Sequence, residues 1–151
     1  MSLDILPLAP EHLPRILEIE PQAHSHPWSE TLLSDINSRG AFHHVLIKDQ
    51  RVIGYFYAQN IVGEVTLLNI AIDPCFQGQG YGSKLLEAFL EICQRKEAES
   101  VWLEVRESNI TASRLYQNLG FNEVDRRRDY YPTMNGKEDA IIMSYLFFPF
   151  H

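Results

Sequence analysis

A mixed α/β fold, one sheet carrying helices on both faces, is what the 151-residue sequence predicts. Three observations lead there. Segments of period two and of period 3.6 follow one another in the order β-α-α-β-β-β-α-β-α-β-β. The apolar stretch Val65 to Ile72 runs through Asp73-Pro74 into Gly78, Gly80 and Gly82, and from there into an amphipathic helix. No repeat, low-complexity tract or Gly/Ser-rich linker divides the chain, so a single domain over residues 1–151 is expected.

Asp4 to Leu8 reads as a short strand. Glu11 to Ala23 follows as a helix, with Leu13, Ile16, Leu17 and Glu20 at helical spacing and Pro14 in the first turn, where proline is tolerated. His26-Pro27-Trp28-Ser29 makes a turn, and Ser29 can cap a second short helix through Ile36. Val45 to Lys48 and Val52 to Gln59 are strands joined by Asp49-Gln50, a two-residue hairpin connection without the usual glycine. Val65 to Ile72 is the next strand. A helix spans about Gly80 to Lys96, with Leu85, Leu86, Phe89, Ile92 and Cys93 on one side. Val101 to Val105 is a strand, and Asn109 to Leu119 a helix closed by Gly120. Phe121 to Asp125 and Ala140 to Phe147 are the last strands, joined through Asn135-Gly136, with Arg126 to Pro132 read as loop. The two βαβ units around the glycine segment are expected to cross over right-handed.

The apolar fraction of 45% and charged fraction of 22% are those of a soluble globular protein. No stretch approaches the roughly 18–20 apolar residues of a membrane span. Met1-Ser2-Leu3-Asp4 lacks a basic region followed by an apolar run, so no secretion signal is expected. Cys75 and Cys93 match no zinc or redox spacing, and free thiols suit a reducing cytoplasm. A net charge of −7 argues against direct nucleic-acid binding and is compatible with a cationic peptide partner. The sequence sets no oligomeric state, a monomer being the default expectation. His24, His26, His43 and His44 have no further ligands at a supporting spacing, so no metal is expected.

The segment Gln77 to Ser83 is built to hold a phosphate. Glycines allow positive φ and close backbone approach, and the following helix adds the positive end of its dipole. A P-loop requires Lys-Ser or Lys-Thr after its last glycine, whereas Gly82 is followed by Ser83-Lys84. The dinucleotide fingerprint G-x-G-x-x-G fails, because the glycines run G-x-G-x-G. A kinase loop would require His-Arg-Asp and Asp-Phe-Gly, which are absent.

What remains, Gln77-x-x-Gly80-x-Gly82 after Asn69-Ile70-Ala71-Ile72-Asp73-Pro74, resembles the acetyl-coenzyme A signature of the GCN5-related N-acetyltransferases. The resemblance runs on through Trp102-Leu103-Glu104-Val105-Arg106, Ser108-Asn109, Ala112, Leu115-Tyr116 and Leu119-Gly120-Phe121. Within that superfamily the chain is similar to the bacterial ribosomal-protein alanine N-acetyltransferases. His26-Pro27-Trp28-Ser29, Leu103-Glu104-Val105-Arg106, Arg127-Arg128-x-Tyr130-Tyr131-Pro132 and Glu138-Asp139-Ala140-Ile141-Ile142-Met143 carry this closer likeness. The chain departs from it by an aromatic tail, Phe147-Phe148-Pro149-Phe150, and an extra histidine in His24-x-His26.

The resemblance implies a mostly antiparallel sheet whose strands Val65 to Ile72 and Val101 to Val105 splay apart to admit acetyl-coenzyme A. It implies loop amides of Gln77, Gly78, Gln79, Gly80, Tyr81, Gly82 and Ser83 on the diphosphate. Ile70, Ala71 and Ile72 would present backbone groups to the acetyl and pantetheine portion, and Asn109 a further cofactor contact. The implied activity is transfer of acetyl to the N-terminal alanine of small-subunit ribosomal protein eighteen, whose basic N-terminal segment would be the partner. Acceptance of a small amine or internal lysine, or acyl-coenzyme A sensing without turnover, are the alternatives.

Alternation in Val101 to Val105 puts Trp102 and Glu104 on one face, where Glu104 by pattern is a solvated glutamate. By resemblance it is the catalytic base, with Glu64 as rival. An α-amino group of pKa about 8 is roughly a tenth neutral at pH 7, so even a modest carboxylate suffices as base. Tyr116 by pattern is a core aromatic, and by resemblance the general acid beside the coenzyme A sulfur. Full proton transfer from a phenol near 10 to a thiolate near 8.5 is uphill by about 2 kcal/mol, so a hydrogen bond to the developing thiolate is its safer role. Asn109 by pattern is an N-cap, with Ser108 as competitor. Trp28, Tyr130 and Tyr131 are expected to line the acceptor groove. Nothing in the pattern tells where Arg126, Arg127 and Arg128 point.

Overall fold

Val52 to Ala58 is buried residue by residue, because this stretch is covered on both faces. Val52, Tyr55 and Tyr57 pack with Ile16, Ile19 and Leu33 on one side. Ile53, Phe56 and Ala58 pack with Leu85, Leu86, Phe89 and Tyr116 on the other. The computed structural model describes residues 2–147, so Phe148, Pro149 and Phe150 of the aromatic tail lie outside the described residues.

Among the described residues, seven strands form one sheet: β1 (Leu3–Pro7), β2 (His44–Lys48), β3 (Arg51–Ile61), β4 (Glu64–Ile72), β5 (Ser100–Arg106), β6 (Asn122–Thr133) and β7 (Gly136–Leu146). Their order is β1-β2-β3-β4-β5-β7-β6, antiparallel throughout except between β4 and β5. Helices α1 (Leu13–Ala23) and α2 (Glu30–Ser34) cover one face, and α3 (Tyr81–Arg95) and α4 (Ile110–Asn118) the other. The five expected apolar positions of α3 are all buried. Each large one contributes on the order of 1.5–3 kcal/mol by leaving water. Among the described residues, no helix is long and apolar enough to cross a membrane.

The β2–β3 hairpin turns on Asp49 and Gln50 at φ 49° and 71°, both left-handed without glycine. The Asp49 side chain compensates by accepting the Ser2 N–H at 3.0 Å, which ties the turn to the start of β1.

One expectation needs correction. Arg126 to Pro132 is strand, not loop: β6 runs to Thr133 and pairs with β7 from Gly136 onward. This edge strand is exposed along nearly its whole length, so no apolar alternation marks it. It is also irregular, since Arg127 pairs with Ala140 and Tyr131 with Glu138, leaving three residues opposite Asp139. Asp129 sits in that bulge at φ 51°, its N–H held by the Asp139 carboxylate at 3.0 Å. In the second βαβ unit β7 lies between β5 and β6, which remain parallel because both are antiparallel to β7.

Burial lowers the pKa values of His43 and His44, and His43 accepts the Ala58 N–H on Nδ1 at 2.9 Å. The unfolded chain therefore binds more protons below about pH 6.5, so stability is full above that value and falls as the pH drops through it. His44 stacks on Phe56 at 5.2 Å. His44→Phe, which keeps a ring there but cannot charge, is expected to lose less Tm than the parent between roughly pH 7 and 5. Equal losses in thermal melts would assign that slope elsewhere.

Candidate active site

Strands β4 and β5 pair only through Glu64–Ser100, Val65–Val101 and Thr66–Trp102. Beyond that they part, and Leu68 is an extra residue on β4, since Ala58 pairs with Leu67 and Tyr57 with Asn69. Such a bulge bends its strand. A cleft of about 830 Å³ opens between them, walled by Leu67 to Ile72 on one side and Leu103 to Arg106 on the other. The Asp73 N–H reaches the Ile53 carbonyl at 2.7 Å. By the alternation of an antiparallel ladder, Ala71 turns its backbone groups to β3, and Ile70 and Ile72 turn theirs to the cleft. The Ile72 carbonyl accepts from Gln77 Nε2 at 2.9 Å.

At the end of β4, Asp73 accepts the Cys75 N–H at 3.0 Å and is paired with Arg15. Gly78 and Gly80 then adopt φ 75° and 86°, and α3 starts at Tyr81. Among the described residues, no N–H from Gly78 to Ser83 donates to a carbonyl outside the ladder of α3. Free amides at the start of a 15-residue helix make an anion site. Gln77, Gly78 and Gly82 line the cleft, while Gln79, Gly80, Tyr81 and Ser83 lie outside its walls.

Glu104 stands on the β5 wall with its side chain 34% exposed. Its carboxylate accepts from the Tyr131 hydroxyl at 3.2 Å and faces Arg127 at 3.5 Å. Burial and the Glu104 charge raise the Tyr131 pKa, so this hydroxyl remains a donor. Arg106 lies over the Tyr131 ring at 4.2 Å and pairs with Glu138 at 3.4 Å. Tyr131 lines the cleft; Tyr130, in the bulge, does not, and its ring packs edge-on against that of Tyr131. Tyr130 instead carries Arg127 over its ring at 5.2 Å.

Tyr116 is on the opposite wall from α4, packed on Phe121 at 5.7 Å, and burial pushes its hydroxyl up to about 12. Asn109 caps α4 by accepting the Ala112 N–H at 3.2 Å and also borders the cleft. Ser108 does not compete for the cap; its N–H donates to Glu138 at 2.9 Å. Glu64 is exposed at the closed end of the strand pair, outside the cleft walls. Arg126 pairs with Glu107, Glu123 and Asp139, and Arg128 with Asp139.

Pattern reading missed a third wall, where Trp28 lies beside Glu20, His24 and Asn69. Glu20 is fully buried and accepts from the Trp28 N–H (2.9 Å), the Tyr55 hydroxyl (2.6 Å) and Asn69 Nδ2 (3.0 and 3.2 Å). The available signal was a carboxylate on the apolar stripe of an amphipathic helix. Among the described residues, no group of three His, Cys, Asp or Glu is placed to hold a metal ion.

Residues 13–121 match the model of the acetyltransferase (GNAT) family. The chain is 42% identical over 132 residues to the ribosomal protein bS18-alanine N-acetyltransferase of Escherichia coli K12, covering 87% of this chain and 89% of that one. It is 43% identical over 131 residues to the protein of the same name from Haemophilus influenzae, covering 86% and 89%. The crystal structure of the ribosomal-protein-S18-alanine N-acetyltransferase from Escherichia coli superposes with a TM-score of 0.91 at 39% identity, over 96% of this chain and 94% of that one.

A Cβ on Gly80 would meet nothing within 4 Å, so only its φ of 86° opposes a side chain there. Gly80→Ala is expected to cost about 1–2 kcal/mol in urea unfolding. Gly82 is helical, and its Cβ would touch Leu115 at an ordinary 3.7 Å. Gly82→Ala should leave stability unchanged or raise it by up to about 1 kcal/mol.

Proposed function

The chain belongs to the GNAT family of acetyltransferases, and from that premise we propose that it acetylates the N-terminal alanine of ribosomal protein bS18. The enzyme is an acetyl-coenzyme A-dependent N-acyltransferase. The observation that carries the reading is the parting of β4 from β5 beside the glycine loop, with Glu104 and Tyr116 on the walls of one cleft. A ligand with peptide-like hydrogen bonding fits the cleft-facing backbone of Ile70 and Ile72, with Ala71 between them. The free loop amides from Gly78 to Ser83 suit a diphosphate, whereas the Gln77 N–H, expected among them, is taken by the Pro74 carbonyl at 3.3 Å; Asn109 borders the same space.

Acetyl-coenzyme A supplies an acyl group activated as a thioester. Glu104 takes a proton from the acceptor's ammonium, directly or through water, and the neutral amine attacks the thioester carbonyl. As the C–N bond forms and the C–S bond breaks, the nitrogen gives its second proton to solvent and coenzyme A leaves as the thiolate, which solvent protonates. Tyr116 keeps its own proton and donates a hydrogen bond to the departing sulfur as charge develops there. Trp28 and Tyr131 crowd the acceptor end and favour a small first residue, with Tyr130 supporting Tyr131 at 5.0 Å between ring centres. The net charge of −7 complements a basic N-terminal segment. The protein acts in the cytoplasm as a monomer, without metal and without contacting nucleic acid.

Calorimetry with acetyl-coenzyme A, then thiol release on an alanine-initiated basic peptide, tests the reading. Loss of cofactor binding would remove it, and equal rates on a peptide offering only a lysine amine would replace the acceptor. Glu104→Gln is expected to lower kcat roughly 100-fold or more while leaving acetyl-coenzyme A affinity intact.

With Tyr116 pushed up to about 12, its proton stays in place across the assay range. The rate should rise as the acceptor amine loses its proton near about pH 8, with no falling limb from this hydroxyl below about pH 10. Tyr116→Phe should lower kcat roughly 100-fold and keep the same profile shape.

A further inference from the structure

Glu20 is buried in the wall of the cleft, yet the transfer step does not use it. A buried carboxylate is costly unless donors surround it, and here they come from three segments. The Trp28 main-chain N–H can only donate. Burial and the neighbouring carboxylate push the Tyr55 hydroxyl far above its ordinary range, so it also stays a donor. Asn69 sits 3.0 and 3.2 Å from the two Glu20 oxygens, and an amide carbonyl there would meet negative charge. Its NH2 group therefore faces Glu20 and its Oδ1 faces away, to His24 Nε2 at 2.9 Å.

That oxygen can only accept, so His24 donates from Nε2. A neutral imidazole protonated on Nε2 carries a bare lone pair on Nδ1. Among the described residues Nδ1 has no hydrogen-bond partner, and the side chain is 30% exposed on the cleft. We propose that His24 binds the acceptor's terminal amine through Nδ1, its ring held in register by the Glu20–Asn69–His24 hydrogen-bond chain. The assignment rests on the cleft taking a peptide N-terminus. A terminal amine brings more N–H donors than Glu104 alone accepts, and His24 takes one from another wall. Glu20 and Asn69 are positioning residues in this arrangement.

Two substitutions separate the two ring nitrogens. In His24→Gln the amide reaches the place of Nε2 and keeps the link to Asn69, but offers no acceptor at Nδ1. In His24→Asn the shorter amide supplies an oxygen near Nδ1 and loses the link. Steady-state kinetics with acetyl-coenzyme A and an alanine-initiated basic peptide are expected to show a 5- to 10-fold higher peptide KM in His24→Gln. Its acetyl-coenzyme A KM and Tm should match the parent, and His24→Asn should recover part of the peptide KM. A peptide kcat/KM in His24→Gln equal to the parent's overturns the proposal. So does rescue by His24→Gln with failure of His24→Asn, which assigns the ring a purely structural role. A parent protein that acetylates no amino terminus sinks the reading of the cleft itself, and His24 with it.

Discussion

The functional region depends on one constraint, that β4 and β5 stop pairing after Thr66 and Trp102. Their closed end is clamped by the Gly63 carbonyl, which accepts from Glu99 at 2.8 Å and Ser100 at 3.3 Å. Past it, the cleft-side backbone of β4 has no strand partner, and each unmet polar group costs on the order of 1–3 kcal/mol where water is excluded. Packing on both faces outweighs that cost. On one face α3 lies against α4 where Gly82 comes close to Leu115, and on the other α1 covers β3 through Ile16 and Ile19. The Ile72 carbonyl is covered by Gln77, so the gap ends where the glycine turn begins. The parted strands and the anion-seeking loop are thus consecutive parts of one chain segment.

Two carboxylates border this cleft in opposite circumstances. Glu20 has no exposure and a full complement of donors, which fixes its geometry and leaves no lone pair for chemistry. Glu104 is about a third exposed and holds its partners loosely, at 3.2 and 3.5 Å. A group that must accept a proton during turnover has to release its resting contacts at low cost. Glu104 meets that condition and Glu20 does not.

Features with a local signal were legible. The strand–turn–glycine–helix order, the buried stripe of α3, the Asn109 cap and the outward turn of Glu104 from Leu103 and Val105 all follow from spacing. Relations between distant segments were not. Glu20 reads as one more residue of α1, and only folding brings Tyr55 and Asn69 to it. The parting of β4 from β5 is a missing ladder, which leaves no mark in either strand's own pattern. Strand β6 escaped because it is polar on both faces, and its bulge lets Tyr131 reach Glu104 while Tyr130 turns away.

The arginine run acquires its meaning from that bulge. Arg126 and Arg128 are spent on Glu107, Glu123 and Asp139, which are their own neighbours across β6, β7 and the end of β5. Water screens pairs this exposed, so they shape the hairpin more than they stabilise it. Arg127 is different, because its partner is Glu104; its side chain is 54% exposed. At that exposure the attraction between the two charges is screened to about 1 kcal/mol. An acceptor ammonium entering the cleft can therefore take the place of Arg127 beside Glu104 at little cost. The one arginine of the run that reaches Glu104 thus leaves that carboxylate weakly held and available.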